Sequence, residues 1–235
     1  MSFPRPITDQ NSDLETLTAQ SKLQIESLVF EGRLKPGERI SEAQLTGLLG
    51  FGLAPIRNAL DLLASEGLLV RIPRSGTFVR ELNFKEYSDI LDVRLSLETL
   101  AIRLVRQHAT PEEKADLIRA AKKVDQTEQR FVSGKIRKTE MAKADVAFHL
   151  KLASLSKNFQ LLHLLRSQRL LEQCFLAGLQ LSIGLRTRIQ DKAIRHVAIA
   201  EATTSGSEAE AIKLMDKHVL QARKSVMTLM MGPAL

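Results

Sequence analysis

The chain has 235 residues, 44% hydrophobic and 26% charged, which predicts an ordinary packed core in one large or two modest domains and excludes wholesale disorder. No run of about 18 uncharged apolar residues occurs and no apolar stretch follows Met1 to Pro6, so neither a membrane span nor a secretory leader is expected, and the protein is assigned to the cytoplasm. The formal net charge of +7 invites a nucleic-acid partner. Its placement does not support one directly: residues 1–80 carry nine Lys/Arg and nine Asp/Glu, and residues 81–235 carry 25 against 18.

Residues 1–10, with Pro4, Pro6 and no apolar period, predict a frayed tail. Leu14, Leu17, Leu23, Ile25, Leu28 and Val29 then fall near one helical face, and Gly32 stands where a helix should stop. Leu34 to Gly37 reads as a turn. Ser41-Glu-Ala-Gln44 has the form of a capping box opening a short helix to Leu49, closed by Gly50. Pro55 suits the first position of another helix that ends at Gly67. Leu68–Ile72 and Thr77–Leu82 are β-rich runs around Pro73 to Gly76, a hairpin by its turn residues.

From Phe84 onward the apolar period is helical, with capping boxes at Thr110-Pro-Glu-Glu113 and Ser207-Glu-Ala-Glu210. Helices are predicted at 85–107, 111–127, 138–156, 159–185, 190–204 and 208–230, with an exposed loop over Val132–Lys138. The single cysteine, Cys174, sits among Leu170, Leu171 and Phe175. It reads as a buried thiol without a redox role. The fold class is therefore mainly α: a tail over 1–10, a winged helix-turn-helix over 11–82, and an all-helical bundle over 85–235.

Helix, short turn, helix and hairpin is the order in which a later short helix enters the major groove. The wording Gly32-Arg-Leu-Lys-Pro-Gly-Glu-Arg-Ile-Ser-Glu42, Pro55-Ile-Arg-Asn-Ala-Leu60, Ser65-Glu-Gly-Leu68 and Gly76-Thr-Phe-Val79 resembles the N-terminal domain of the GntR superfamily. That family's recognition helix commonly begins Ser-Arg-Thr-Pro-Val-Arg-Glu-Ala-Leu. Here Arg57 and Gly76 match DNA-facing positions, while Gly52, Leu53 and Ala54 replace Ser, Arg and Thr, which removes three contacts. Arg71 and Arg74 on the wing are further candidates for phosphate contact. The bland alternative for Arg57 is a solvated helix arginine.

In the second half, Asp145 and His149 stand at i and i+4 beside Phe148 and Leu152, a face on which an unpaired carboxylate is costly to bury. His196 and His218 also lie on apolar stripes, with Ala193, Val197 and Ala200 and with Met215, Val219 and Ala222. One Asp and three His suit zinc, nickel or a similar divalent ion. Singly, each histidine is more often a hydrogen-bonded core residue. Asp145-Val-Ala-Phe-His149 with Asn158, His196 with Ile199, Glu208 to Ala211 with His218, and Arg94-Leu-Ser-Leu-Glu98 with Arg103 resemble the FadR-like C-terminal domain, called FCD. The resemblance implies that Asp145, His149, His196 and His218 bind a metal whose open positions take a carboxylate effector. Arg94 matches a pocket arginine, with an ion pair to Asp92 or Glu98 as the alternative. Asn158 either lines the pocket or caps the following helix. His108 and His163 match nothing.

The implied protein is a regulator, not an enzyme. It is expected to be a homodimer on a palindromic double-stranded operator, controlled by a small organic acid. Two rivals are a metal-dependent hydrolase using the same Asp/His₃ set, with Glu201 the nearest acid or base, and a regulator whose head binds DNA weakly.

Overall fold

The structure, a computed structural model, describes residues 8–167 and 195–230. The chain splits into two compact units, Met1–Glu81 and Leu82–Leu235. Among the described residues no helix is long and apolar enough to cross a membrane.

The first unit runs α1 (Thr8–Phe30), β1 (Arg39–Ile40), α2 (Glu42–Leu49), α3 (Leu53–Ser65), β2 (Leu69–Ile72) and β3 (Gly76–Val79). Helix begins at Thr8, so residues 8–10 belong to α1 rather than to a tail; beyond Pro6 nothing in the chain forbids the helical backbone. The buried stripe of α1 is Thr18, Ser21, Ile25, Leu28 and Val29, while Leu17 and Leu23 face outward. The correction follows from the 3.6-residue period, which counts back from Leu28 through Ile25 to Ser21 and Thr18. Ser21 is accommodated because its Oγ donates to the carbonyl of Leu17 at 2.7 Å. This stripe packs on α3, whose Ile56, Ala59, Leu60 and Leu63 are fully buried.

Ser41 caps α2 by accepting from the N–H of Gln44, and Gly50 closes the helix in the left-handed region at φ 74°. The start of α3 differs from expectation: Gly52 is the N-cap and Pro55 occupies the third helical position. Gly52 offers no side-chain oxygen to that position, so the N–H that proline lacks forfeits no cap. The sheet is antiparallel in the order β1-β3-β2. Strand β1, paired as Arg39 with Phe78 and Ile40 with Thr77, is too short to show alternation in the sequence.

The second unit holds α4 (Phe84–His108), α5 (Pro111–Val132), α6 (Lys138–Leu155), α7 (Phe159–Ser167), α8 (His196–Thr204) and α9 (Glu208–Met230). Reciprocal capping boxes open α4 at Asn83/Glu86 and α5 at Thr110/Glu113. Ser207 Oγ accepts from Glu210 N at 3.1 Å where α9 begins. Helix α5 continues five residues past the expected 127 because Phe131 extends its buried stripe, and Gly134 then takes φ 75°. The parts of the predicted helices 159–185 and 190–204 that fall within 168–194, and Ala193 and Cys174 with its neighbours, lie outside the described residues.

One core joins these six described helices, with Leu91, Ile102, Val105, Leu117, Val124, Phe148, Leu152, Leu165, Ile199 and Met215 at or near zero exposure. Truncating Leu152 to Ala would cost about 2–5 kcal/mol. The C-terminal end of α8 is held by Arg106, which donates to the carbonyls of Ala202 (3.1 Å) and Thr203 (3.0 Å), a cation at the negative end of the helix. Gly206 is required there, since a Cβ would stand 2.8 Å from the Ala202 backbone.

Candidate metal centre and nucleic-acid interface

The packing of α6, α8 and α9 brings Asp145, His149, His196 and His218 together, with one ligand atom from each within 4.8 Å of the others. Asp145 and His149 are stacked one turn apart on α6, His196 is the first residue of α8, and His218 lies midway along α9. The imidazole centroids are 5.6 Å (His149–His196), 5.3 Å (His149–His218) and 4.9 Å (His196–His218) apart. Phe148 meets His149 and His196 edge-on, each at 5.1 Å.

Two rings share one orientation. His196 Nε2 is 2.9 Å and His149 Nε2 3.7 Å from Asp145 Oδ1. Their Nδ1 atoms turn the other way, to Asp125 Oδ1 of α5 at 3.3 Å and to Glu98 Oε2 of α4 at 3.1 Å. A carboxylate behind a ligating imidazole fixes the ring and raises the basicity of its far nitrogen. Asp125 also accepts from the backbone N–H of His196 (3.0 Å) and of Val197 (3.4 Å), so one carboxylate holds both the ring and the N-terminus of α8. Glu98 in turn accepts from Arg94 Nε at 2.7 Å. The chain Arg94–Glu98–His149 is buried throughout.

The electrostatics follow from burial opposed by these partners. Burial works against charging Glu98, but the Arg94 and His149 charges more than offset it and hold the carboxyl at about 2. Burial likewise opposes a charge on His196, and the bonds to Asp125 and Asp145 override it, raising the imidazole to about 10. His218 is pushed well below the usual histidine range by burial and by the other two imidazoles. Asp145 is held well below the carboxylate range because His149 and His196 outweigh its desolvation. Its side chain is 31% exposed, so the face expected to be closed opens at a rim.

The donor set fits a divalent ion. Both ring nitrogens of His149, and Glu98 Oε2, are buried without a formed hydrogen bond. Nδ1 has Glu98 Oε2 at 3.1 Å, whereas Nε2 is left facing the cluster, an arrangement that is costly unless something accepts its lone pair or proton. A second grouping, Asp125, Glu128 and His196, is equally compact. It is the poorer set, because Asp125 is committed to α8 and burial raises Glu128 to about 7.

The remaining expected residues are placed as follows. Arg94 is 4% exposed and turned to Glu98. Asn158 Oδ1 accepts from Leu161 N at 3.0 Å and so caps α7. Glu201, His108 and His163 are exposed, and His163 stacks on Phe159 at 6.1 Å.

In the first unit, Gly52, Leu53, Ala54, Arg57 and Asn58 form an exposed surface on α3. Arg57 donates to Glu42 of α2, and Arg71 of β2 pairs with Asp61 at 2.6 Å. Arg74 stands at the hairpin tip in the left-handed region, φ 64°. Gly76 has φ 116°, and a Cβ there would meet Arg39 Nε at 3.1 Å. Arg39, Arg71 and Arg74 line a single concavity of about 920 Å³ between the hairpin and α2.

Two family models match. The description "Bacterial regulatory proteins, gntR family" covers residues 17–79, and "FCD domain" covers residues 89–221, more than half of the chain. The chain belongs to the GntR family of bacterial regulatory proteins and carries an FCD domain. It is 37% identical over 142 residues to the uncharacterized HTH-type transcriptional regulator YdhC of Bacillus subtilis, 60% of this chain and 62% of that protein. The chain thus spans about three-fifths of that relative's length. It is 26% identical to the HTH-type transcriptional repressor GlaR of Escherichia coli over 82% of this chain and 87% of that one. Its fold is that of E. coli McbR/YncC, with TM-score 0.70 at 22% identity, covering 90% of this chain and 97% of the other.

In this GntR-family chain, sequence reasoning missed Asp125, Glu128 and Arg39, and weighed Glu98 only as a partner for Arg94. Asp125 and Glu98 act through rings on other helices, and Arg39 reaches the wing only through the unforeseen β1. The one signal available beforehand was an acid on a buried helical stripe: Glu98 lies one turn beyond Arg94 and four residues before Ile102.

Proposed function

We propose that this protein is a DNA-binding transcription regulator whose operator occupancy is set by a small organic acid at a divalent metal site in the FCD domain. The observation that carries the reading is the convergence of Asp145, His149, His196 and His218, with a buried carboxylate aligning each of the first two imidazoles. A divalent ion, zinc or nickel, would supply a Lewis-acidic charge for a carboxylate oxygen. The residues do the rest: Glu98 and Asp125 turn Nε2 of His149 and His196 inward, and His218 is kept neutral and ready to ligate. Arg94, bound through Nε to Glu98 behind His149, is the proposed partner for the effector's second oxygen. Asn158 takes the capping role of its two expected ones, Oδ1 accepting from Leu161 N.

The head supplies the DNA contacts: Arg57 on α3, with Arg71, Arg74, Gly76 and the newly found Arg39 along the wing. Effector binding alters operator affinity to the extent that it favours one arrangement of a homodimer over another. A cytoplasmic protein without catalytic activity accords with this reading, as does the GlaR relative named as a repressor. The test is elemental analysis followed by titration. Wild type should carry a divalent ion that His196→Ala with His218→Ala removes, and only loaded protein should bind citrate or sugar acids by calorimetry. Protein that takes up no zinc or nickel sinks the site, and acyl-coenzyme A binding equally well without metal sinks the carboxylate effector.

A further inference from the structure

The contact between Glu42 and Arg57 is made along a particular edge of the guanidinium. Arg57 Nε lies 3.2 Å and 3.4 Å from the two Glu42 oxygens, and Nη2 donates to Oε2 at 2.9 Å. Glu42 therefore occupies the side-on edge, formed by Nε and one proton of Nη2. The end-on edge, with the outward protons of Nη1 and Nη2, makes no hydrogen bond among the described residues. That edge has the spacing to donate to O6 and N7 of guanine in the major groove.

We infer that Glu42 is a positioning residue, which holds Arg57 by its side-on edge so that the end-on edge reads a guanine. The inference rests on the DNA-binding reading above. An exposed arginine samples many rotamers, and clamping it from α2 removes much of the entropy otherwise lost on docking. The pair is suited to this: Arg57's side chain is 55% exposed and Glu42's 28%, so the clamp is anchored while the reading edge stays in solvent. Glu42 sits in the first turn of α2, whose start is capped by Ser41, and there a negative side chain is favoured by the helix dipole. The neighbours make the role specific. Leu53 and Ala54 offer α3 no charge, so base discrimination by its first two turns falls to Arg57 and Asn58.

The experiment is selection of full-length protein on a randomised double-stranded oligonucleotide pool. It is followed by anisotropy titration of the selected site and of that site with each guanine replaced. Wild type should enrich a motif with a guanine that Arg57→Ala no longer requires. Glu42→Ala should lower discrimination at that same position about tenfold while leaving the rest of the motif unchanged, and Glu42→Gln, which keeps one acceptor, should fall between. Combining Glu42→Ala with Arg57→Ala should add nothing at that position. Thermal unfolding that matches wild type certifies the variants. If Glu42→Ala keeps the guanine preference and binds more tightly, Glu42 shields Arg57 and the inference is overturned while the DNA-binding reading stands. A wild type that enriches no motif overturns both.

Discussion

Replacing Glu98 tests the buried chain Arg94–Glu98–His149 most directly. Its carboxyl is fully buried and lies at about 2 instead of 4.5; at about 1.4 kcal/mol per pH unit this is about 3 kcal/mol of folding free energy. The folded-state value is the depressed one, so the stabilisation is complete above pH 4.5 and is lost as pH falls toward 2. At pH 7 Glu98→Gln should therefore destabilise metal-free protein by about 3–5 kcal/mol, because the Arg94 charge stays buried without its anion. Arg94→Met with Glu98→Leu removes both charges and should regain most of that loss. About 1–2 kcal/mol should remain for the His149 ring left without its carboxylate. Metal affinity should divide the other way: the double variant loses about 10–100-fold, whereas Glu98→Gln retains an oxygen facing Nδ1 and loses less. Urea unfolding gives the stabilities and competition with a chromophoric chelator gives the affinities. Glu98→Gln within 1 kcal/mol of wild type, or a double variant no more stable than the single, would refute the reasoning.

Asp125→Asn should weaken zinc or nickel binding by about 10–100-fold in the same chelator assay, and unchanged affinity would show that Asp125 serves only the N-terminus of α8. Because His196 is raised to about 10 in the metal-free protein, metal uptake at pH 7 should release about one proton, seen as a buffer-dependent heat in calorimetry. The same raised value means that His196 stabilises metal-free protein fully below about pH 6.5 and that this contribution is lost as pH rises through 10; urea midpoints that do not fall between pH 7 and pH 10.5 would count against it. Glu128, raised to about 7 by burial, acts in the opposite sense to Glu98, favouring the fold below pH 4.5 and progressively less through 7. Glu128→Gln should then stabilise metal-free protein by about 1–3 kcal/mol at pH 8 and by little at pH 5.

The fold was legible where the chain punctuates itself. Ser41, Thr110, Gly50 and the Pro73–Gly76 turn mark element ends by local chemistry, and local chemistry needs no knowledge of the partner element. What failed was decided by packing. The inward face of α1 carries Thr18 and Ser21 where the sequence offers Leu17 and Leu23, because α3 contacts a stripe set by helical geometry, and Ser21 satisfies its hydroxyl within the helix. Strand β1 exists because β3 has a free edge beside Arg39 and Ile40.

At the site the division is of the same kind. The convergence of Asp145, His149, His196 and His218 was legible because Asp145 and His149 share a local i, i+4 spacing and because the family wording carries His196 and His218. The carboxylates behind them were not, since Asp125 is 71 residues from His196 and Glu98 is 51 from His149. Only the packing of α8 on α5 and of α6 on α4 brings them together. These non-local partners also set the chemistry of the ligands. His196 between two carboxylates is raised to about 10, whereas His218, facing the other two imidazoles with no acid of its own behind it among the described residues, is driven below its ordinary range. His196 and His218 are thus equivalent as sequence and inequivalent in charge. At neutral pH a divalent cation bound as proposed would take the place of the His196 proton and meet a neutral His218. The proton charge that Asp145 and Asp125 hold on His196 is the charge such an ion would replace, so the acids that stabilise the metal-free fold are the ones that would favour the proposed ion.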